Sequence, residues 1–318
     1  MLVWVRKWDF HNFSQNVSAT SADRYDRANG LEERIIEMPT EWGGIVPTEV
    51  FIEEGRRLVE EASKRHIPLR LLGGVAIRIH CSEFMDFAKK LVRLGEGRQE
   101  YTDLDFMTLV KFRKNQMKEF FNEMGYEKRP TTMSMAATQR HIYFHPKGWF
   151  YADVFFDKLL AANHPLDFRD RLELDSPTVT PADLLLEKAQ IVFPDQKDVK
   201  DSILLLRAHE ISLQEEKNRI NAEFIATKLA GDWGFWYTVT TNFKGLEEFV
   251  KDAPNLTEAE KQDVATKIDK LLKAIDEKPK STGWKMRSVM GTKRKWYNPV
   301  ETTQTVGEFG IWKLREKK

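Results

Sequence analysis

The 318-residue sequence predicts an α/β (α+β) fold, a small mixed sheet with packed helices followed by a mostly helical C-terminal domain. Three observations predict it. Short runs rich in aliphatic, aromatic and β-branched residues recur at 68–72, 104–110 and 149–156, and such runs favour strands. Between them, apolar residues return at three- and four-residue spacing, the period of an amphipathic helix. Beyond about residue 212 the helical period continues and the strand-like runs stop.

The elements follow in order. Residues 1–47 read as an extension: polar, irregular, with Trp42-Gly43-Gly44 and a short helix near Leu31–Glu37. Thr48–Lys64 is helical, with Val50, Phe51, Gly55, Leu58, Val59 and Ala62 on one face. Pro68–Leu72 is the first strand, and Glu83–Leu94 an amphipathic helix. Leu104–Val110 is the second strand, and Phe112–Met124 a helix ended by Gly125. Strand candidates follow at 127–134, 139–145 and 149–156. Thr180-Pro181-Ala182-Asp183 opens a helix with a cap, a first-turn proline and an early acid; it runs to about Phe193. Asp198–His209 is the next helix, closing a unit at 48–211. In the unit 212–318, Glu215–Ala230, Gly245–Lys251 and Thr257–Asp276 are helical.

Composition narrows the class. A net charge of +1, with 41% hydrophobic and 31% charged residues, describes a globular chain that is not disordered. The single cysteine, Cys81, excludes an internal disulfide and a cysteine-rich zinc site, and its apolar company marks it as packing. No run of 18 apolar residues is present, so no membrane span is expected. The first residues lack the apolar core of a signal peptide, which leaves a cytoplasmic location as the expectation. Phosphate-loop, dinucleotide-fingerprint, zinc-helix and nucleophile-elbow motifs are absent. His141 and His145 fall on one side of a strand, where a solvated or hydrogen-bonded role is expected.

The chemistry gathers in three places. Asp103 and Asp105 stand in Tyr101-Thr102-Asp103-Leu104-Asp105-Phe106 and share one strand face. Asp153 stands in Tyr151-Ala152-Asp153-Val154-Phe155, and a neighbouring strand brings it to the same patch. Clustered carboxylates resist ionising together, and a divalent cation removes that conflict. Oxygen-only ligands suit Mg²⁺ or Mn²⁺. Gly73-Gly74 closes the apolar pair Leu71-Leu72 and runs into Val75–His80, read as strand, tight turn and helix. Glycine permits close backbone approach, and a helix N-terminus offers N–H groups to phosphates.

On these residues the chain resembles the polymerase-β-like nucleotidyltransferase superfamily, and within it is most similar to the abortive-infection (type IV toxin) nucleotidyltransferases. Those proteins carry a Gly-Gly or Gly-Ser turn, an Asp-x-Asp strand, a third acidic strand, a helix with a lysine and a following acidic motif. The second half would be Leu185-Leu186-Glu187-Lys188-Ala189-Gln190, then Lys197-Asp198-Val199-Lys200-Asp201. The resemblance covers residues 48–210 and makes 48–211 the nucleotidyltransferase domain. It implies a metal at Asp103, Asp105 and Asp153, with Asp153 also the base toward an acceptor hydroxyl. It implies a nucleoside triphosphate held by Gly73, Gly74 and Lys188, with Asp201 orienting Lys188 or the base. The acceptor would be an RNA end, a protein or a small molecule, and an antitoxin-like protein would be a partner.

Each element has a plainer reading. A lone Asp-x-Asp usually sits on a solvated turn, and a helix lysine usually faces water. Asp198 and Asp201 read plainly as a solvated pair; Asp157 reads as a supporting acid, and Arg78 and Arg98 as phosphate contacts. The segment 278–318 holds eleven Lys/Arg against three Asp/Glu, interleaved with Trp284, Trp296, Tyr297 and Trp312. Its charge suits a nucleic-acid backbone. Its rings are expected to pack. A different class stays open: a binding protein that kept this fold, lost turnover and engages RNA or an antitoxin-like partner.

Overall fold

The computed structural model describes residues 38–93, 99–113 and 115–300. The extension before residue 38, Arg98 and Trp312 lie outside them. The architecture is mixed α/β, as expected.

Helix α1 (Thr48–Ser63) leads to β1 (Arg70–Leu72), which passes directly into α2 (Gly73–His80) and then α3 (Met85–Leu91). Strand β2 (Asp103–Thr108) follows, then α4 (Gln116–Glu123), β3 (Glu127–Lys128), α5 (Met133–Ala137), β4 (Arg140–Phe144) and β5 (Tyr151–Phe156). The five strands form one sheet in the order β1-β2-β5-β4-β3. Only the central β2–β5 pair is parallel. A small hairpin joins β6 (Lys158–Leu159) and β7 (Leu166–Asp167). Next come α6 (Pro181–Ala189) and α7 (Gln196–Ala208). Strands β8 (Glu210–Ser212) and β9 (Arg219–Asn221) make a two-stranded parallel ribbon. The chain ends, as described, in α8 (Ala222–Gly231), α9 (Trp233–Asp252), α10 (Glu258–Glu277) and α11 (Thr282–Met290).

One face of the sheet is apolar. Leu104, Phe106, Ala152, Val154 and Tyr143 are fully buried there, and Phe121 of α4 stacks on Tyr143 with ring centroids 4.1 Å apart. This core continues without interruption past residue 211 to Ile225, Val264 and Ile268. Among the described residues no helix is long and apolar enough to cross a membrane.

Several elements differ from expectation, each for a local reason. The 127–134 strand keeps only two residues, because Pro130 cannot donate to a ladder and Thr132 caps α5 through its side chain. The helix expected to begin at Asp198 begins at Gln196, since Asp195 and Asp198 form a reciprocal capping box. The stretch taken as the start of a helix at Glu215 is turn and strand, with Asn221 capping α8 at Phe224. The fragment Gly245–Lys251 belongs to the 20-residue α9; its Trp, Tyr and Thr residues carry weak helix propensity, and tertiary packing overrides it.

A second apolar cluster ties residues 284–297 down. Val192, Trp233 and Trp296 are buried together, with Trp284 and Tyr297 packed against them. Trp296 donates its indole N–H to Thr238 Oγ1 at 3.1 Å. A Cβ at Gly234 would lie 2.4 Å from the Trp296 carbonyl oxygen, so that glycine is what admits the segment. Trp296→Ala is therefore expected to cost about 3 kcal/mol, read as a lower urea midpoint at unchanged slope. Gly234→Ala should have a comparable effect without removing any ring.

Candidate active site

The parallel register places Asp105 opposite Asp153 and Asp103 opposite Tyr151. Alternation along the strands then puts Asp103, Asp105 and Asp153 on one face, opposite the apolar core. Asp153 is 1% exposed and is clamped by Arg140 of β4, which reaches both carboxylate oxygens, Nε to Oδ1 at 2.6 Å and the second through its terminal nitrogen. Asp105 accepts no hydrogen bond among the described residues. Burial, then Asp103, Asp153 and Glu187, push its carboxyl well above the usual range. Burial also pushes Asp153 up, to about 6, against the pull of Arg140.

Gly73 closes over Asp105. Its φ is +71°, and a Cβ there would lie 2.4 Å from Asp105 Oδ2. Only glycine satisfies both conditions. Its N–H donates to Glu187 Oε2 at 3.1 Å. Gly74 is equally confined, since a Cβ would meet Arg93 and Tyr101 at 2.9 Å.

Behind the glycines lies a buried ionic network. Arg93, just after α3, grips Asp201 of α7 through two bonds of 2.6 and 3.0 Å. Lys188 of α6 donates to Asp198 at 3.1 Å and lies 3.4 Å from Asp201. Burial drives the Asp201 carboxyl up, but Lys188 and Arg93 outweigh it and hold it below its usual range. Burial opposes charge on Lys188 too, yet Asp198 and Asp201 keep its pKa above the ordinary lysine value. Neither Lys188 nor Asp201 is a solvated-face residue: their side chains are 12% and 3% exposed.

The polar face opens into a cavity of about 340 Å³ lined by Asp105, Glu187, Lys188 and Asp198, with Phe155, Phe193 and Val300 among its apolar walls. The amides that border it are committed elsewhere. Asn163 accepts from Val192 N–H and donates to the Asn298 carbonyl, while Gln190 accepts from His164 N–H.

Asp103, Asp105, Asp153, Gly73, Lys188 and Asp201 thus converge on one side of the sheet, with Gly74 holding the turn. Asp157 does not join them: it has φ +59° and accepts from Val110 N–H, locking the far end of the strand pair. Among the described residues no group of three His, Cys, Asp or Glu side chains is arranged as a metal site. Asp103 and Asp105 nonetheless fit a hard cation, being oxygen donors on one face with uncompensated charge at Asp105. Asp153 is engaged by Arg140 in this state. Cys81 is buried packing, and burial raises its thiol. His141 is buried and held near Tyr143 and Lys128.

Three contributors were not singled out from sequence: Arg93, Arg140 and Glu187. Glu187 carried a signal, a charge beside Lys188 on a capped and otherwise apolar helix. Arg93 and Arg140 carried none, because only the fold sets which strand or helix they face. Comparison with protein-family models gives no match, and comparison with curated proteins gives none.

Two outcomes follow from this geometry. Gly73→Ala should lose about 1–2 kcal/mol from the left-handed backbone alone, and more as Asp105 is displaced; thermal melting measures it. Carboxyls raised in the folded state bind more protons than in the unfolded chain. Buried His141, His145, His164 and His209, lowered to about 4, add stability as pH rises. Against that background metal-free protein should lose a contribution between about pH 4 and about 6 through the raised carboxyl of Asp153. That group alone is worth about 2–3 kcal/mol, and Asp105 acts in the same direction. Urea midpoints of wild type and Asp153→Asn across this interval isolate that contribution: wild type should lose ground to the variant as pH rises, and the opposite drift would contradict the assignment.

Proposed function

We propose that the chain is a metal-dependent nucleotidyltransferase: an acceptor hydroxyl attacks the α-phosphate of a nucleoside triphosphate, the α–β phosphoanhydride bond breaks, the nucleoside monophosphate passes to the acceptor and pyrophosphate leaves. The observation that carries this reading is Asp105, a carboxylate that accepts no hydrogen bond among the described residues, set beneath a glycine turn, beside Asp103 and opposite Asp153, and lining a cavity. Asp103 and Asp105 would hold Mg²⁺ or Mn²⁺. When bound, such an ion neutralises clustered carboxylates and polarises phosphate oxygens.

The chain's own residues supply the rest. Asp153 accepts the proton of the acceptor hydroxyl, and Arg140 fixes its orientation. Gly73 and Gly74 keep the backbone low enough for a phosphate to approach. Lys188 is a fixed positive wall rather than a mobile arm, because Asp198 and Asp201 hold it. The cavity's apolar side, with Phe155 and Phe193, offers a surface for a nucleobase.

A second reading draws on a specific feature. Asp153 is paired with Arg140, Lys188 with two aspartates, and the Gly73 N–H with Glu187. Such self-satisfaction suits a binding protein that retains the fold without turnover, engaging RNA or an antitoxin-like partner. Incubation with Mg²⁺ and each labelled triphosphate, with cellular RNA or protein as acceptor, separates the two. Under the catalytic reading, label transfer occurs and Asp105→Asn abolishes it while the metal-free protein keeps or gains stability. The wild type should also melt higher with Mg²⁺ plus triphosphate than with either alone. An identical response in wild type and Asp105→Asn would remove Asp105 from the site.

A further inference from the structure

We propose that the basic segment 278–300 is the docking surface for a single-stranded RNA that presents the acceptor hydroxyl. This rests on the nucleotidyl-transfer reading and names its acceptor. The segment carries seven Lys/Arg and no Asp or Glu. Three of these are used internally. Lys278 pairs with Glu223, Lys280 donates to the Lys278 carbonyl, and Arg287 donates to the carbonyls of Gly291 and Arg294 at 2.7 Å. The other four, Lys285, Lys293, Arg294 and Lys295, are exposed and make no ion pair among the described residues. Arg287 thus folds the turn that presents three of them side by side.

These cations lead to the cavity. Lys295 Nζ lies 5.0 Å from the Tyr297 ring centre, and Tyr297 lies 6.3 Å from Phe193. Phe193 and Val300 both line the cavity, and the Asn298 backbone is paired with Asn163 beside it. The cavity has no attraction of its own for a polyanion. Asp105, Glu187, Asp195 and Asp198 line it against the single cation Lys188, whose charge is already matched. A polyanionic acceptor must be drawn in from outside, and the acid-free segment is where that attraction lies. RNA provides both the phosphate backbone and terminal hydroxyls. Trp284 and Trp296 are packed inward, so binding is electrostatic, without ring stacking by these residues.

The test measures anisotropy of a labelled 15-nucleotide single-stranded RNA with the full chain, without metal or nucleotide, between 50 and 200 mM salt. Wild type is compared with the charge-reversed variant Lys293→Glu/Arg294→Glu/Lys295→Glu and with single Lys293→Ala and Arg294→Ala variants, all checked by melting. The triple variant should bind at least tenfold more weakly. Its log–log salt slope should fall by about 2, roughly 0.7 per lost phosphate contact on single strands. The single variants should fall in between. Asp105→Asn should bind RNA like wild type, so lost turnover with retained binding leaves the surface assignment standing. Conversely, turnover onto a small-molecule acceptor without RNA binding would overturn the surface while sparing the chemistry. Unchanged affinity and slope in the folded variants would also overturn it. So would binding confined to vesicles containing phosphatidylglycerol, which would assign the face instead to a lipid surface, through Met286 and Val289, 66% and 87% exposed on α11.

Discussion

Charge balance on the polar face of the sheet is the constraint around which this half of the molecule is arranged. Among the described residues, Asp103, Asp105, Asp153, Glu187, Asp198 and Asp201 find ion-pair partners in Arg93, Arg140 and Lys188 alone. A buried charge without compensation is expensive, so each cation is drawn into the closest pairing the backbone permits. Arg140 serves Asp153, Arg93 serves Asp201, and Lys188 bridges two carboxylates. The deficit is left at Asp105, whose carboxyl is driven up and which no donor among the described residues satisfies. A protein that stored this imbalance for no purpose would be better served by asparagine there. Under the reading proposed above, that deficit is where a cation would be held.

The same constraint explains the glycines. Asp105 is partly covered by the turn between β1 and α2, and the covering is possible only because Gly73 has no side chain and a positive φ. Glu187 then caps the turn's N–H from α6, so a strand, a turn and a helix distant in sequence share one polar contact. In that contact a carboxylate of the chain occupies the donor that the proposed reading would offer to phosphate.

Much of the fold was legible because the periods are clean. The Asp-x-Asp strand and the third aspartate announce a shared face by alternation alone, and the Thr180 cap with Pro181 fixes the start of α6 to the residue. What stayed hidden depends on pairings that sequence does not encode locally. Arg140 meets Asp153 only because β4 lies antiparallel to β5 in one register. Residues Trp233–Thr241 have weak helix propensity and become helix because Trp233 and Phe235 are buried against distant partners. The β8–β9 ribbon is three residues per strand, too short for a period to show. At the candidate site, the acids and glycines were legible, whereas the cations that restrain them mostly were not.

The place of Val300 in the cavity wall, beside the Asn298 backbone that pairs with Asn163, has a consequence in time. Every carboxylate of the candidate site lies at or before Asp201, yet Val300, about a hundred positions later, lines the same cavity. During synthesis at about 5–20 residues per second, roughly 5–20 s pass between the emergence of the two. Through that interval a nascent chain owns the acids and glycines but not this part of the wall. The order of the chain thus leaves this side of the cavity to be completed last, when Trp296 packs against Trp233 and Thr238 of α9.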